Sequence, residues 1–369
     1  MKGRFDAIWR RGVKRALIAG GLEAAALVAR TGILPAARGR GAIFTLHHVR
    51  PMGDHPAEPN AHLDITPEFL DKAIRQLKDD GYEFVSLCEV AARMKRPAQG
   101  KPFAAFTLDD GYRDNVEHAL PVFERHGVPF TIFVARGFAE RSHGMWWETM
   151  AALLNVLPEI RFDFGAGEVT LPLATGTDKL DAFDHFSRFI ASGPETRQVA
   201  VVDALAMRHG IDALQITAHL TMDLEELQAL AKHPLASLGA HTVSHRSIAQ
   251  LDKAEARGEM LACIEWMEQS FGFRPRSFAY PYGTSRAVSK RDKDLARELG
   301  FDLAVTTRPG TIHDDLGHEM TGLPRISLNG YYQVPRYVSA LASGLPFALS
   351  AKPRMAGDKE LSPAGEVVG

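Results

Sequence analysis

From residue 41 onward, short apolar runs alternate with stretches of helical periodicity. In the first half the runs are Ala42 to Leu46, Glu83 to Leu87, Phe103 to Leu108 and Pro129 to Ala135. In the second half they are Ala236 to Ala240, Ser277 to Tyr280, Leu303 to Thr306 and Arg325 to Leu328. They are rich in Phe, Val, Ile and Thr and carry little charge, as strands covered on both faces do. Between them, a helix is predicted from Thr66, with Pro67 as its first helical residue, to near Gly81. Further helices are predicted over Asn115 to His126, Leu224 to Lys232, Lys253 to Gln269 and Ser289 to Leu299. Such alternation makes neighbouring strands parallel. The number of units predicts an α/β fold, a distorted (β/α) barrel of seven or so parallel strands, closed or nearly closed.

The alternation breaks between Trp146 and Leu220, where helical patterns surround a hairpin, Arg161 to Leu171, with Gly165 and Gly167 at its turn. We read residues of about 146–220 as a mostly helical insertion on one face of a barrel domain spanning 41–330. Residues 331–369 form a C-terminal extension, expected to be disordered from about Ala351, where Gly, Pro, Lys and Glu dominate.

Residues 1–40 form a basic amphipathic helical segment. Lys2, Arg4, Arg10, Arg11, Lys14 and Arg15 are opposed only by Asp6, while Phe5, Ile8, Trp9, Val13 and Leu17 recur at helical spacing. Three readings stay open: a helix packed on the barrel, a peripheral membrane contact through residues 1–30, or a secretory signal. Glu23, inside the apolar run Ala16 to Ala29, counts against the signal. The run is also too short and too charged to span a bilayer.

The composition, 45% hydrophobic and 24% charged, is that of a soluble globular protein. A net charge of −2 gives no electrostatic reason to expect a nucleic-acid partner. The only cysteines, Cys88 and Cys263, cannot build a disulfide framework and are expected to be buried free thiols. A cytoplasmic location is the expectation, with membrane association as the option above and secretion disfavoured. Nothing in the sequence sets the oligomeric state.

Four segments carry chemistry, each at the predicted C-terminal end of a strand. Phe106-Thr107-Leu108-Asp109-Asp110-Gly111-Tyr112 sets two carboxylates directly after a buried strand, at the end of a barrel where active sites are built. His241-Thr242-Val243-Ser244-His245 places two histidines four apart, a spacing that on a helical turn brings both rings to one cation. With one carboxylate of the Asp pair they make a two-His, one-carboxylate set with positions left for water and substrate. Phe278-Ala279-Tyr280-Pro281-Tyr282-Gly283 is a turn that could aim a backbone N–H at a developing oxyanion or simply pack the rim. Thr45-Leu46-His47-His48 ends the first strand, and strand alternation turns one of its histidines to the mouth. Taken singly, each segment has a bland alternative: a solvated acidic loop, a capped turn, packing aromatics, ordinary loop histidines.

Together the four segments resemble the polysaccharide deacetylases, carbohydrate esterase family four, which includes chitooligosaccharide, peptidoglycan and poly-N-acetylglucosamine deacetylases. The resemblance covers about residues 41–330. Thr107-Leu108-Asp109-Asp110-Gly111 is similar to the family's first motif, and His241 to His245 matches its second. The resemblance implies hydrolysis of N-acetyl groups from an N-acetylglucosamine-containing poly- or oligosaccharide by a metal-activated water. It implies a divalent metal, zinc with cobalt or nickel as options, held by Asp110, His241 and His245. It makes Asp109 the general base and the Tyr282 backbone N–H an oxyanion donor.

Three departures stand out. Ala279 occupies the place of an Arg that fixes the base, for which Arg325 in Leu323-Pro324-Arg325 is the expected substitute. The Asp-Trp pair of a fourth motif is not recognisable around Leu303 to Pro309. No His follows Ile326-Ser327-Leu328 to protonate the leaving amine. The branch acting on poly-N-acetylglucosamine carries that acid on an early strand, so His47 is the expected acid, held protonated by the site's carboxylates, with His48 as the weaker option. Two rivals remain: a related amide hydrolase acting on a small cyclic or non-sugar N-acyl substrate, and a catalytically silent carbohydrate-binding protein. Trp146 and Trp147 could stack on sugar rings or anchor the insertion.

Overall fold

In the computed structural model, which describes residues 2–31, 35–53 and 59–350, seven strands close a ring in chain order. They are β1 (Gly41–Leu46), β2 (Phe103–Leu108), β3 (Phe130–Val134), β4 (Ala236–Ala240), β5 (Ser277–Ala279), β6 (Leu303–Pro309) and β7 (Leu323–Ser327). Each pairs in parallel with its successor, and β1 meets β7 at Phe44 with Ile326 and Thr45 with Ser327. The result is the distorted (β/α) barrel that the alternation predicts.

The predicted strand Glu83 to Leu87 is a correction. Only Glu83–Phe84 is extended, and it pairs beside the base of β2 at Phe103 and Ala104. From Phe106 onward β3 takes that edge of β2, so a longer neighbour has no room. The chain instead turns at Ser86, whose hydroxyl accepts the Glu89 N–H and caps the helix Leu87–Met94.

Strand alternation sorts the side chains. Ile43, Ala105, Phe133, Ala279, Val305 and Leu323 share one cluster that fills the barrel interior, whereas Phe44, Phe106, Ile132, Phe278, Ala304 and Ile326 pack outward beneath the helices. Gly239 lets β4 fit this interior. A Cβ there would fall 2.5 Å from the Phe133 ring and 2.8 Å from the Ser277 Oγ.

The insertion leaves after β3 and builds its own core from Met150, Leu154, Phe162, Phe183, Phe186 and Leu205. It contains helices Trp146–Val156, Gly176–Ala191, Glu195–Arg208 and Ala213–Leu220, with a hairpin of Glu159–Asp163 and Glu168–Pro172. At the chain's start, helix Lys2–Thr31 packs on Pro335–Ala342 through Leu22, Ala25 and Ala26 against Tyr337 and Ala340. Glu23, the charge inside its apolar run, accepts hydrogen bonds from Arg336 and Tyr337. Among the described residues no helix is long and apolar enough to cross a membrane. The disorder expected from Ala351 concerns residues outside those described. Cys263 is buried as expected, but Cys88 is exposed: Leu87, Val90, Ala91 and Met94 take the inner face of that helix.

Candidate active site

All four chemical segments meet at the C-terminal mouth of the barrel. Beyond β2 the backbone turns sharply, with Asp110 at φ 72° and Gly111 at φ 70°. Asp109 keeps the inward direction of Thr107 and meets Arg325, which rises from β7 inside the barrel. The two guanidinium nitrogens of Arg325 donate to the two Asp109 oxygens at 2.7 and 2.6 Å. Arg325 also donates to the Thr107 Oγ1 and the Thr306 carbonyl, each at 3.0 Å. Both residues are buried, at 3% and 1% exposure, so this is a fully desolvated bidentate pair. Burial pushes the Asp109 carboxyl up, but the Arg325 guanidinium outweighs it and holds the group below the usual carboxylate range. Arg325 thus stands where the missing Arg was expected to be replaced.

Asp110, His241 and His245 converge beside this pair, with one ligand atom from each lying within 4.8 Å of the others. The Asp110 Oδ1 is 3.5 Å from the His241 Nε2 and 3.3 Å from the His245 Nε2, and although buried it accepts no hydrogen bond from any of the described residues. The His241 Nδ1 lies 2.7 Å from the Ala279 carbonyl, which fixes that nitrogen as the donor and leaves Nε2 with a lone pair. Two imidazole lone pairs and a carboxylate oxygen directed together suit a divalent cation, so the residues fit the metal that the resemblance implies.

The two histidines do not meet by helical spacing, as their separation of four suggested. They lie on a loop in which Thr242 (φ 68°) and His245 (φ 56°) both adopt left-handed backbone, and the Thr242 Oγ1 accepts the His245 N–H. Buried Glu259 holds this loop by accepting the Val243 and Ser244 N–H groups and the Ser244 hydroxyl.

Alternation at the end of β1 separates the two early histidines. His47 lines the cleft with Asp109, Asp110, His241, His245 and Tyr282. Burial pushes its imidazole down, outweighing the pull of Asp109 and Asp110, so the expectation of a ring held protonated at rest is corrected. His48 points away. It pairs with Asp114, lies over the Tyr112 ring at 3.6 Å, and approaches Glu148 at 3.7 Å. Burial pushes His48 down, but Asp114 and Glu148 raise it to about 10.

Tyr282 sits in a turn at φ 60°. Gly283 follows it at φ 61°, where a Cβ would lie 2.4 Å from the Thr307 nitrogen. The Tyr282 hydroxyl donates to Glu195 at 2.5 Å and accepts from the Trp146 indole at 2.8 Å. Trp147 donates to the Tyr112 hydroxyl at 3.0 Å, and its ring lies 4.8 Å from that of His245. Both tryptophans are buried and both line the cleft, so they anchor the insertion and form a wall of the site. Sequence reasoning missed Glu195, which accepts from Tyr282, and Asn60 and His62, which line the cleft. Glu195 comes from the insertion and the other two from a loop, and no motif marks them.

Comparison with known proteins agrees with this geometry. The family model for polysaccharide deacetylase matches residues 96–158 and 192–304, leaving β1 with His47 and β7 with Arg325 outside the match. YxkH of Bacillus subtilis, whose name places it among the polysaccharide deacetylases, is 19% identical over 278 residues, covering 74% of this chain and 69% of its own length. The structure of the deacetylase PplD of Streptococcus pyogenes in complex with acetate is similar, with a TM-score of 0.52 and 18% identity over 78% of this chain and 92% of that one. IcaB from Ammonifex degensii gives 0.51 and 16% over 82% and 98%. At these identities the two structures speak for the fold alone. The segments that match the polysaccharide deacetylase model, just under half of the chain, bring Asp109, Asp110, His241 and His245 together in one mouth.

Proposed function

We propose that this domain removes N-acetyl groups from an N-acetylglucosamine-containing poly- or oligosaccharide. It would use a divalent metal, zinc first and cobalt or nickel as substitutes, at Asp110, His241 and His245. Similarity to polysaccharide deacetylases implies hydrolysis of an acetyl amide on a sugar polymer. The observation that carries the proposed metal and base is the pairing of a convergent Asp110–His241–His245 set with a second buried carboxylate that Arg325 holds apart from it.

Asp110, His241 and His245 would hold the divalent ion, which would supply Lewis-acid polarisation of the acetyl carbonyl and lower the pKa of a water there towards about 7. Asp109 takes that water's proton. Arg325 uses both carboxylate oxygens, yet each keeps a lone pair for the transfer and the group cannot swivel. The Tyr282 N–H would help hold the oxyanion that forms at the acetyl carbonyl as water adds to it. His47, neutral at rest, would first take up a proton from solvent or the one Asp109 has removed from water, and then give it to the nitrogen as the C–N bond breaks, yielding acetate and a free amino sugar. Its lowered pKa makes protonated His47 a stronger acid than an ordinary imidazolium. Trp146, Trp147 and Phe183 along the cleft favour a sugar ring over a small cyclic amide.

The test is acetate release from N-acetylglucosamine oligomers by the metal-stripped and the zinc-reloaded chain, with the His47→Asn variant beside them. Activity should vanish on stripping and return with zinc. His47→Asn should lose roughly 10²-fold or more in kcat on the amide and far less on an aryl acetate, whose phenolate leaves without a proton. Equal losses on both substrates would refute the acid role, and turnover of a cyclic amide but of no oligomer would favour the rival hydrolase.

A further inference from the structure

Between Leu17 and Val28 the first helix buries one face and leaves apolar side chains exposed on the other. Leu22, Ala25 and Ala26 pack on Tyr337 and Ala340, whereas Leu17 is 71% and Leu27 64% exposed. From Ala16 to Ala29 the one charge is Glu23, already engaged by Arg336 and Tyr337. Immediately before this stretch, residues 2–15 carry six basic side chains against Asp6 alone. Beside the helix runs a groove of about 900 Å³, with Leu17, Ile18 and Leu22 on one wall and Ile326, Leu328 and Phe347 on the other.

The groove lies near the catalytic end of the barrel. Leu328 directly follows β7. The Arg15 guanidinium sits 3.8 Å over the Tyr331 ring, that ring is 6.2 Å from His62, and His62 lines the catalytic cleft.

We propose that this helix face and groove dock the chain on an anionic lipid bilayer, with the barrel mouth held close to the membrane so that acetylated sugar is met there. The docking stands on the surface itself; the encounter with sugar rests on the deacetylase reading. Charge complementarity selects the occupant. A basic block next to an exposed apolar face matches lipid phosphates over acyl chains. A second copy of the chain would instead bring two basic blocks together, which like-charge repulsion opposes.

The experiment is co-sedimentation of the full chain with vesicles of phosphatidylcholine alone and of phosphatidylcholine mixed with phosphatidylglycerol. Binding is expected on the mixed vesicles only and should weaken as salt is raised. The double variant Leu17→Asp, Leu27→Asp should lower partitioning at least about tenfold, with an unchanged circular dichroism spectrum and unchanged acetate release from a soluble oligomer. No sedimentation, equal binding to both vesicle types, or a variant that binds like the parent would overturn the docking surface. So would a parent dimer that the double variant converts to monomer without any vesicle binding, which would make a second copy the occupant. Salt-sensitive vesicle binding by a chain that releases no acetate would leave the docking intact and remove only the sugar encounter.

Discussion

Replacing Arg325 by Met tests the centre of the site. The two side chains of the Arg325–Asp109 pair are 0% and 4% exposed, and Arg325 donates two short hydrogen bonds to the carboxylate. Arg325→Met keeps the volume and the aliphatic stem but strands Asp109 in the barrel interior. Removing one partner of a buried pair costs about 3–5 kcal/mol, a large share of a total stability of roughly 5–15 kcal/mol. In urea, with chelator present so that metal binding does not contribute, the midpoint should fall by about 1 M or more.

The pH dependence has a fixed sign. In the parent, the Asp109 carboxyl lies below its ordinary range, so its contribution is present above the unfolded carboxylate pKa and is lost as pH falls through the lower folded value. In the variant, burial acts without its counterweight and raises the carboxyl above the unfolded value. The penalty should therefore be largest near pH 8 and shrink towards pH 5, where Asp109 accepts a proton. Combining Arg325→Met with Asp109→Asn removes the stranded charge, so the double variant should be more stable than the sum of the singles by about 1–3 kcal/mol. A single variant within about 0.5 kcal/mol of the parent, or strict additivity, would show that the pair is not the desolvated unit described.

Three further outcomes are expected. His241→Ala or His245→Ala should abolish tight zinc binding and turnover together, because each removes one of three protein ligands; one equivalent of retained metal by elemental analysis would contradict the site. Asp109→Asn should keep its metal while losing about 10²- to 10⁴-fold in kcat, and inactivity through metal loss would exchange the roles of Asp109 and Asp110. His48 is raised from 6.5 to about 10, so its contribution is full below about pH 6.5 and is lost as pH climbs towards about 10. Urea unfolding at pH 6, 8 and 10 should show the parent losing more stability over that interval than His48→Gln, and parallel curves would count against the buried ion pair.

What the sequence made legible follows from strand periodicity. Five of the eight apolar runs lie on barrel strands to within a residue at each end, because a strand covered on both faces tolerates little charge. Two do so partially, since β6 runs on from Thr306 to Pro309 and β7 spans Leu323 to Ser327 instead of Arg325 to Leu328, and Glu83 to Leu87 fails. That failure is competition for one edge of β2, a tertiary fact that no local pattern encodes. Strand alternation said in advance that one of His47 and His48 faces the mouth, and the family resemblance, not the alternation, singled out His47. Helical spacing misdescribed how His241 and His245 meet, since the left-handed residues between and at them lack the glycines that usually announce such a turn. Glu195 could not be foreseen: a glutamate at a helix start reads as an ordinary favourable charge, and its bond to Tyr282 spans 87 residues of chain.

The distribution of backbone strain ties these pieces together. Among the described residues five non-glycine residues adopt positive φ, and Asp110, Thr242, His245 and Tyr282 are four of them. Each such conformation costs on the order of 1–3 kcal/mol and persists only where the surroundings over-determine it. Those surroundings can be named. Glu259 holds the His241–His245 loop through three hydrogen bonds, Thr242 caps His245, and the Thr307 hydroxyl donates to the Tyr282 carbonyl. Glu195 grips both the Tyr282 hydroxyl and the Ser247 N–H. Burial pushes the Glu195 carboxyl up against the pull of these bonds, so it occupies its place at a cost that the packed insertion around it must offset. The insertion therefore acts on the site as well as lying beside it. Through Glu195, Trp146 and Trp147 it braces Tyr282 and His245 in conformations that the barrel strands alone do not hold.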